Sequence, residues 1–315
     1  LSDQFEVEEI RRAIMPASAA GERFDSALAK ELGISRNSMT NLLDNAQVSL
    51  AQSGKILSKS DRVVGGESVE IVFLQEEIVD IESAPLPIVY EDNEIVVIEK
   101  LVGYAVHPSP GWVGPTVTDA LSRMGIQLAN SGPEERQGIV HRLDAGTSGL
   151  MVATKTSRAY SHLKDQFRNR EVEKVYHALA QGHLDPAVGT IDAPIDRHPK
   201  EDHRFAVVAA GRASITHYQS LEYFPAVTLV RIELETGRTH QIRVHFSALK
   251  HPLVGDLIYG ADPSLARSLG ITRPWLHAME LSFTHPASGE RVHFKSSYPR
   301  DLENSIASLR QAGQR

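Results

Sequence analysis

The sequence predicts an α+β protein. A mixed, mainly antiparallel β-sheet domain follows a small unit of helices and a hairpin. From about residue 88, β-rich apolar runs follow one another with few helices between them, which argues against a repeated βαβ wheel. Before about residue 75, short helical patterns lead into a turn-centred strand pair. The length of 315 residues suggests about two domains at roughly 150 residues each.

The small unit is expected over residues 19–75. GERFDSALAKELG (21–33) places Phe24, Leu28 and Leu32 at helical spacing. Ser35 can cap a second helix whose apolar face is Met39, Leu42 and Leu43. VSLAQSGKIL (48–57) turns around Ser53-Gly54, and SVEIVFL (68–74) is a strand. Residues 76–87 are acidic, then contain Pro85 and Pro87, and read as a linker. The large domain is expected over 88–305. Its strands are PIVYED, EIVVIEK, GYAVHP, GIVH, GLMVATKT, EVEKVYHALAQG, ASITHYQSLEYF, AVTLVRIELET, LHAMELSFTHPA and ERVHFKSS. Helices are expected at 116–125, 157–170 and 239–250, with a short one at the end of the chain.

Composition narrows the function. A hydrophobic fraction of 41% and a charged fraction of 23% are ordinary for a globular chain and argue against disorder. There are no cysteines, so disulfides, thiolate metal sites and cysteine nucleophiles are excluded together. A cytoplasmic setting fits that composition. No apolar run approaches the roughly 20 residues of a membrane span, and the N-terminus does not read as a signal peptide. Thirty-three basic and forty acidic residues give a net charge of −7. Net charge alone argues weakly against nucleic acid, but what matters is whether the cations converge on one face. Nothing points to obligate assembly, and a monomer is expected.

Two stretches could carry chemistry. In GIVHRLDAGTSGLMV (138–152), His141, Arg142 and Asp144 sit on a tight polar loop between apolar segments. An ordinary β-turn with a capping aspartate would read the same way. In LETGRTHQIRVHFSALKHPLVGD (234–256), Arg238, His240, Arg243 and His245 crowd the start of one helix, with Ile242, Phe246 and Leu249 on its apolar face. Arg243 borders that face and can point inward, where it needs a carboxylate. Positions i−4 and i+4 are Thr239 and Ser247, so its partner is remote in sequence. Tyr176 alternates with Val175 and His177 in a strand. Such a tyrosine is ordinarily core, unless its face lines a cleft. Fourteen histidines invite a metal reading, but there is no His-Glu-x-x-His, and His198 and His203 match no common ligand spacing. No phosphate loop or nucleophile elbow is present.

HRLDAGTSGL (141–150), YHALAQG (176–182), APIDRHP (193–199), GRTHQIRVHF (237–246), HPLVGDLIYG (251–260) and LHA (276–278) occur in the order seen in RluA/RluD-type pseudouridine synthases, and the chain resembles that family along nearly its whole length. Residues 19–74 resemble the small RNA-binding domain of the ribosomal-protein S-four type. The resemblance implies the pseudouridine synthase fold, RNA as partner, large-subunit ribosomal RNA as target, and no cofactor or metal. It implies Asp144 as the catalytic aspartate, Arg243 as its ion partner and Tyr176 as the ring that stacks on uracil. Arg142 is implied to fill the stack when the uridine leaves, and Leu276 to wall the uracil pocket. His141, Arg238 and His240 lie beside these motif residues and are expected to contact substrate. Ala145-Gly146 stand where the family more often has Lys-Asp, a departure confined to the turn.

These residue types suit the reaction. A stacked uridine must be flipped out, at a cost of about a few kcal/mol. A carboxylate is then needed beside the ribose, either to attack the anomeric carbon or to remove the 2′ proton. An arginine about 4 Å away at an effective dielectric near 20 gains roughly 4 kcal/mol before desolvation, enough to favour the charged carboxylate. Residues 141–180 hold seven basic and four acidic residues, whereas residues 1–80 hold eight and fourteen. The rivals are a non-catalytic RNA-binding or ribosome-assembly factor on the same scaffold and a metal-dependent hydrolase using the histidines.

Overall fold

The computed structural model describes residues 7–33, 39, 43, 48–58, 60–74, 85–109, 112–199 and 201–312. The chain divides into two compact units, Leu1–Glu82 and Ser83–Arg315.

In the first unit, β1 (Val7–Ile14), β2 (Val48–Leu50) and β3 (Ser68–Leu74) form a sheet of order β1-β3-β2, antiparallel throughout. Helix α1 (Phe24–Leu32) ends at Gly33 in the left-handed region and buries Phe24 and Leu28. They join Met15, Met39, Leu43, Leu57, Val69 and Ile71 in one core. Ser35 lies outside the described residues. A unit starting at Ala19 leaves out β1, whose seven register partners run the length of β3. VEEIRRAI carries charges at four of its eight positions and has no apolar alternation, so its strand character comes from pairing.

The second unit is built on one nine-stranded sheet. Its strands are β4 (Ile88–Glu91), β5 (Ile95–Lys100), β6 (Ser148–Thr154), β7 (Glu173–Gln181), β8 (Val188–Asp192), β11 (Ile215–Tyr223), β12 (Val227–Leu234), β13 (Leu276–Thr284) and β14 (Arg291–Lys295). Their order is β4-β5-β6-β13-β7-β12-β11-β8, with β14 on β13. Only β6 and β13 run parallel. The fold is the mixed, mainly antiparallel α+β class that the apolar runs predicted. Both faces are covered, which explains why β5 reads as a continuous apolar run. Val96 and Ile98 enter the core that holds Tyr176, Ala178, Ile242 and Phe246, while Ile95 and Val97 pack with Leu150, Val152 and Leu163 on the other face.

Helix α2 (Val117–Arg123) is capped by the Thr116 hydroxyl, which accepts the Asp119 N–H, and α3 (Ser157–Asn169) by Thr156, which accepts the Ala159 N–H. Helix α4 (Gln241–Ala248) follows the 234–240 segment, α5 (Pro263–Ser268) is short, and α6 (Arg300–Ala312) packs Leu302 and Ile306 beside Trp275. Three local expectations differ. GYAVHP and GIVH supply single bridges, Ala105–Thr116 and Ile139–Ala153, and not strands. Leu249, placed on the apolar face of α4, is 38% exposed because the helix has ended before it. The Pro/Lys segment 193–207 is a hairpin of β9 (Ile195–His198) and β10 (Glu201–Val207). Among the described residues no helix is long and apolar enough to cross a membrane.

The β6–β13 pairing depends on Gly149. Its φ is +116°, and a Cβ there would lie 2.3 Å from the Ala278 carbonyl oxygen. Gly149→Ala is expected to lower stability by about 3 kcal/mol, from backbone strain and overpacking together. Gly289→Ala, at φ +73° in open space, should cost only about 1 kcal/mol. Urea unfolding of the two variants checks the difference.

Candidate active site

The HRLD segment leaves the buried bridge residue Ile139 and closes a turn before β6, with the Thr147 N–H donating to the Asp144 carbonyl at 3.0 Å. Leu143 is buried and anchors the turn. Arg142 on one side of it is exposed, and Asp144 on the other is half-buried. The carbonyls beyond Asp144 are gripped from below. Ala145 accepts from the Gly103 N–H at 2.9 Å and from Lys100 Nζ at 3.3 Å. Gly146 accepts from Arg273 Nη1 at 3.2 Å, and Arg273 is itself held by Asp301 of α6 at 2.7 and 3.1 Å. Lys100 is 1% exposed and also donates to the carbonyls of Leu101 and Tyr104 at 2.9 and 2.8 Å. Burial pushes its pKa down to about 7, the Asp144 charge opposing. Three carbonyl acceptors match the three donors of an ammonium.

Arg243 projects inward from the first turns of α4 and is 6% exposed. Its nearest partner is not Asp144. Nε and Nη2 form a two-pronged pair with Asp256 at 2.7 and 2.9 Å, and Nη1 reaches Asp144 at 3.3 Å. The resemblance had implied a pair; the structure is a trio. Burial opposes the guanidinium charge, but hydrogen bonds and attraction to Asp256, then Asp144, raise its pKa above the ordinary value. Its carbon lies 4.9 Å from the Tyr259 ring centroid. Asp256, Lys100, Arg273 and Tyr259 were not singled out from sequence. The signal available for Asp256 was that a buried arginine requires an acid, with one standing 13 residues on in HPLVGD.

His240 precedes α4 in a left-handed conformation, φ 56°. This turns its ring toward Tyr259, with Nδ1 2.8 Å from the hydroxyl and Nε2 3.9 Å from Asp144. Burial lowers its pKa, and Asp144 partly offsets this. His245 faces away, bonded to Thr216 and the Ala193 carbonyl, and belongs to the core. His141 accepts the Val152 N–H on Nε2 at 3.1 Å and stacks on Phe167 at 4.7 Å. Burial, then the Lys174 charge, pushes its pKa down to about 3, so the ring is neutral.

Asp144, Arg243, Tyr176, Leu276 and His240 line one cleft of about 60 Å³. Arg142, Tyr176 and Arg238 also wall a neighbouring hollow of about 510 Å³. All eight residues singled out from sequence line one or both of these spaces. Tyr176 is 7% exposed. Burial, then Asp144, raises the pKa of its phenol, which is protonated at neutral pH. Among the described residues no group of three or more His, Cys, Asp or Glu could hold a metal.

The chain matches the family model for RNA pseudouridylate synthase over residues 94–248. It is 50% identical to an uncharacterised RNA pseudouridine synthase of Mycobacterium bovis, over 95% of this chain and 98% of that protein. It is 38% identical to ribosomal large subunit pseudouridine synthase D of Escherichia coli K12, over 95% and 94%. Human RNA pseudouridylate synthase domain containing 1 superposes with a TM-score of 0.57 at 27% identity, covering 73% of this chain and 94% of that one. With two thirds or more of both sequences aligned at such identities, this chain belongs to the RNA pseudouridylate synthase family.

Proposed function

We propose that the cleft around Asp144 isomerises uridine to pseudouridine in large-subunit ribosomal RNA, in the cytoplasm. The observation that carries this reading is a half-buried carboxylate, oriented by a buried arginine, at a cleft walled by a buried tyrosine and a leucine. The ribosomal target is supported by relatives named for it, aligned over nearly their full length.

The target uridine leaves its stack and enters between Tyr176 and Leu276. Exposed Arg142 fills the vacated space. Asp144 acts on the ribose, by attack at C1′ or by removal of the 2′ proton. The bond from N1 to C1′ breaks and the base turns; C5 then bonds to C1′ as the Asp144–C1′ bond breaks, or as the 2′ proton is returned, the proton on C5 leaves, and N1 takes up a proton. Product and substrate have the same composition, so no redox or energy-supplying cofactor is required by stoichiometry. Arg243 keeps Asp144 oriented, and His240 with Arg238 borders the same cleft. The first unit assists by binding RNA, through cations that include Lys55 and Arg62. Arg36 and Lys59 of the same unit lie outside the described residues. A binding factor without chemistry is disfavoured, since an anion facing phosphate-rich RNA only weakens binding.

Ribosomal RNA tritiated at uracil C5 tests the reading. Wild-type protein should release tritium without added cofactor. Asp144→Asn, which keeps the shape, should slow release by about 10³-fold. Equal rates would remove Asp144 from the chemistry. In that inactive background, Tyr176→Phe should bind RNA within about threefold of its parent, whereas Tyr176→Ala should bind about tenfold more weakly, by the stacking lost. A filter-binding titration measures both. Removing residues 1–82 should weaken binding and flatten its salt dependence, and an unchanged slope would strip that unit of its RNA-binding role.

A further inference from the structure

The larger hollow holds a charge imbalance that the chemistry at Asp144 does not use. Its wall includes the cations Arg136, Arg142, Arg168, Arg170, Lys174 and Arg238; Arg136 pairs with Glu135 and Arg168 with Asp165 outside it, and the one carboxylate in the wall is Glu235. That carboxylate is already taken, by Arg170 at 2.9 Å and by His217 at 2.8 Å. A volume of about 510 Å³ is in the range of ligand pockets.

Lys174 is the informative member. It is half-buried, and among the described residues no carboxylate lies within ion-pairing distance of its ammonium. The acid beside it in sequence, Glu173, is turned to the other face of β7 by strand alternation and pairs with Arg291 at 2.8 Å. The ammonium instead sits 5.9 Å from the Phe167 ring centroid. That ring is fixed, stacked on His141, which is tied to the Val152 backbone. Burial, then the Arg170 charge, pushes the lysine pKa down to about 8, as expected of a cation lacking an anion. A desolvated, unpaired cation on a rigid floor is costly in the free protein unless something anionic fills the hollow.

Position says which anion. Lys174 and Tyr176 share a face of β7 two residues apart, about 6.7 Å along the strand. One nucleotide spans a similar distance from its base to its backbone phosphate. We propose that the hollow is a phosphate subsite, in which Lys174, with Arg142 and Arg238 at the shared wall, binds an RNA backbone phosphate flanking the everted uridine. This deepens the reading of the Asp144 cleft and rests on it. The subsite would fix the strand on one side of the extruded base while the base itself is held by Tyr176 and Leu276. Surface lysines elsewhere add only diffuse attraction; this one adds a fixed contact.

The test compares Lys174→Met, Lys174→Arg and Lys164→Met in the full-length protein. Lys164 lies on α3 outside the hollow, over Tyr160. Large-subunit ribosomal RNA is the probe, in filter binding at several salt concentrations and in tritium release. Lys174→Met should weaken binding about tenfold and reduce the log–log salt slope by about 0.7, one single-strand phosphate. In turnover it should raise KM with kcat within about twofold. Lys174→Arg should restore most of both. Methionine fills the same space without a charge, so thermal stability should hold or rise; should it unfold, Lys174→Gln takes its place. An unchanged slope in the neutral variant, no rescue by arginine, or an equal effect from Lys164→Met would overturn the proposal. If the wild type releases no tritium, the reading of the Asp144 cleft fails, and the salt slopes still decide the subsite.

Discussion

The site depends on how one buried guanidinium divides its donors. Arg243 spends two of them on Asp256 and turns a third toward Asp144. The division matters electrostatically. Asp256 cancels the arginine charge in a buried, two-pronged pair, and breaking such a pair costs about 3–5 kcal/mol. What is left is a trio with two carboxylates and one cation, hence an excess anion. Asp144 is therefore oriented by a hydrogen bond without being fully neutralised.

Orientation also comes from beneath. The backbone on the C-terminal side of Asp144 is held by two buried basic side chains, Lys100 at the Ala145 carbonyl and Arg273 at the Gly146 carbonyl. Each comes from a different part of the sheet domain, and Arg273 is braced in turn by the last helix through Asp301. Behind them Gly149 lets β6 approach β13 closely enough to pair. A catalytic group needs its supporting shell as much as its own rotamer. Here that shell is made of carbonyl contacts, which do not use the side chains of Ala145 and Gly146. Glycine at 146 also keeps clear of Pro274, whose Cδ a Cβ there would approach to 3.2 Å.

Much of this was legible in the sequence, for identifiable reasons. The central strands β5, β6 and β13 of the large sheet are buried on both faces, so their residues announce themselves as runs. Asp144 and Arg243 stood out as polar groups in apolar surroundings, although 99 positions separate them. The opposite case hid Lys100 and Asp256. A lysine ending a strand and an aspartate after Val-Gly read as ordinary surface residues, because nothing local marks them as buried. Their partners are a carbonyl 45 residues away and a guanidinium on another element. Strand β1 was hidden for the reverse reason, being charged along its length and held by pairing with β3. The hairpin over 195–207 was masked by its prolines and charges.

The net charge of −7 and an RNA partner are compatible because sum and distribution are different quantities. At the larger hollow Arg136, Arg168 and Arg170 are paired with Glu135, Asp165 and Glu235, whereas among the described residues Arg142, Lys174 and Arg238 have no carboxylate within ion-pairing distance. Next to it, the smaller cleft holds Asp144 beside Arg243, and Arg142 and Arg238 line both spaces. The two spaces share the Tyr176 ring as a wall, and its buried phenol stays uncharged between them. A charged wall would favour one neighbour over the other. An aromatic one is neutral to both, and on the proposed reading its face would meet the base at their junction. On the proposed reading, the cations at the shared wall would hold the strand while Asp144, kept oriented by Arg243, meets its sugar.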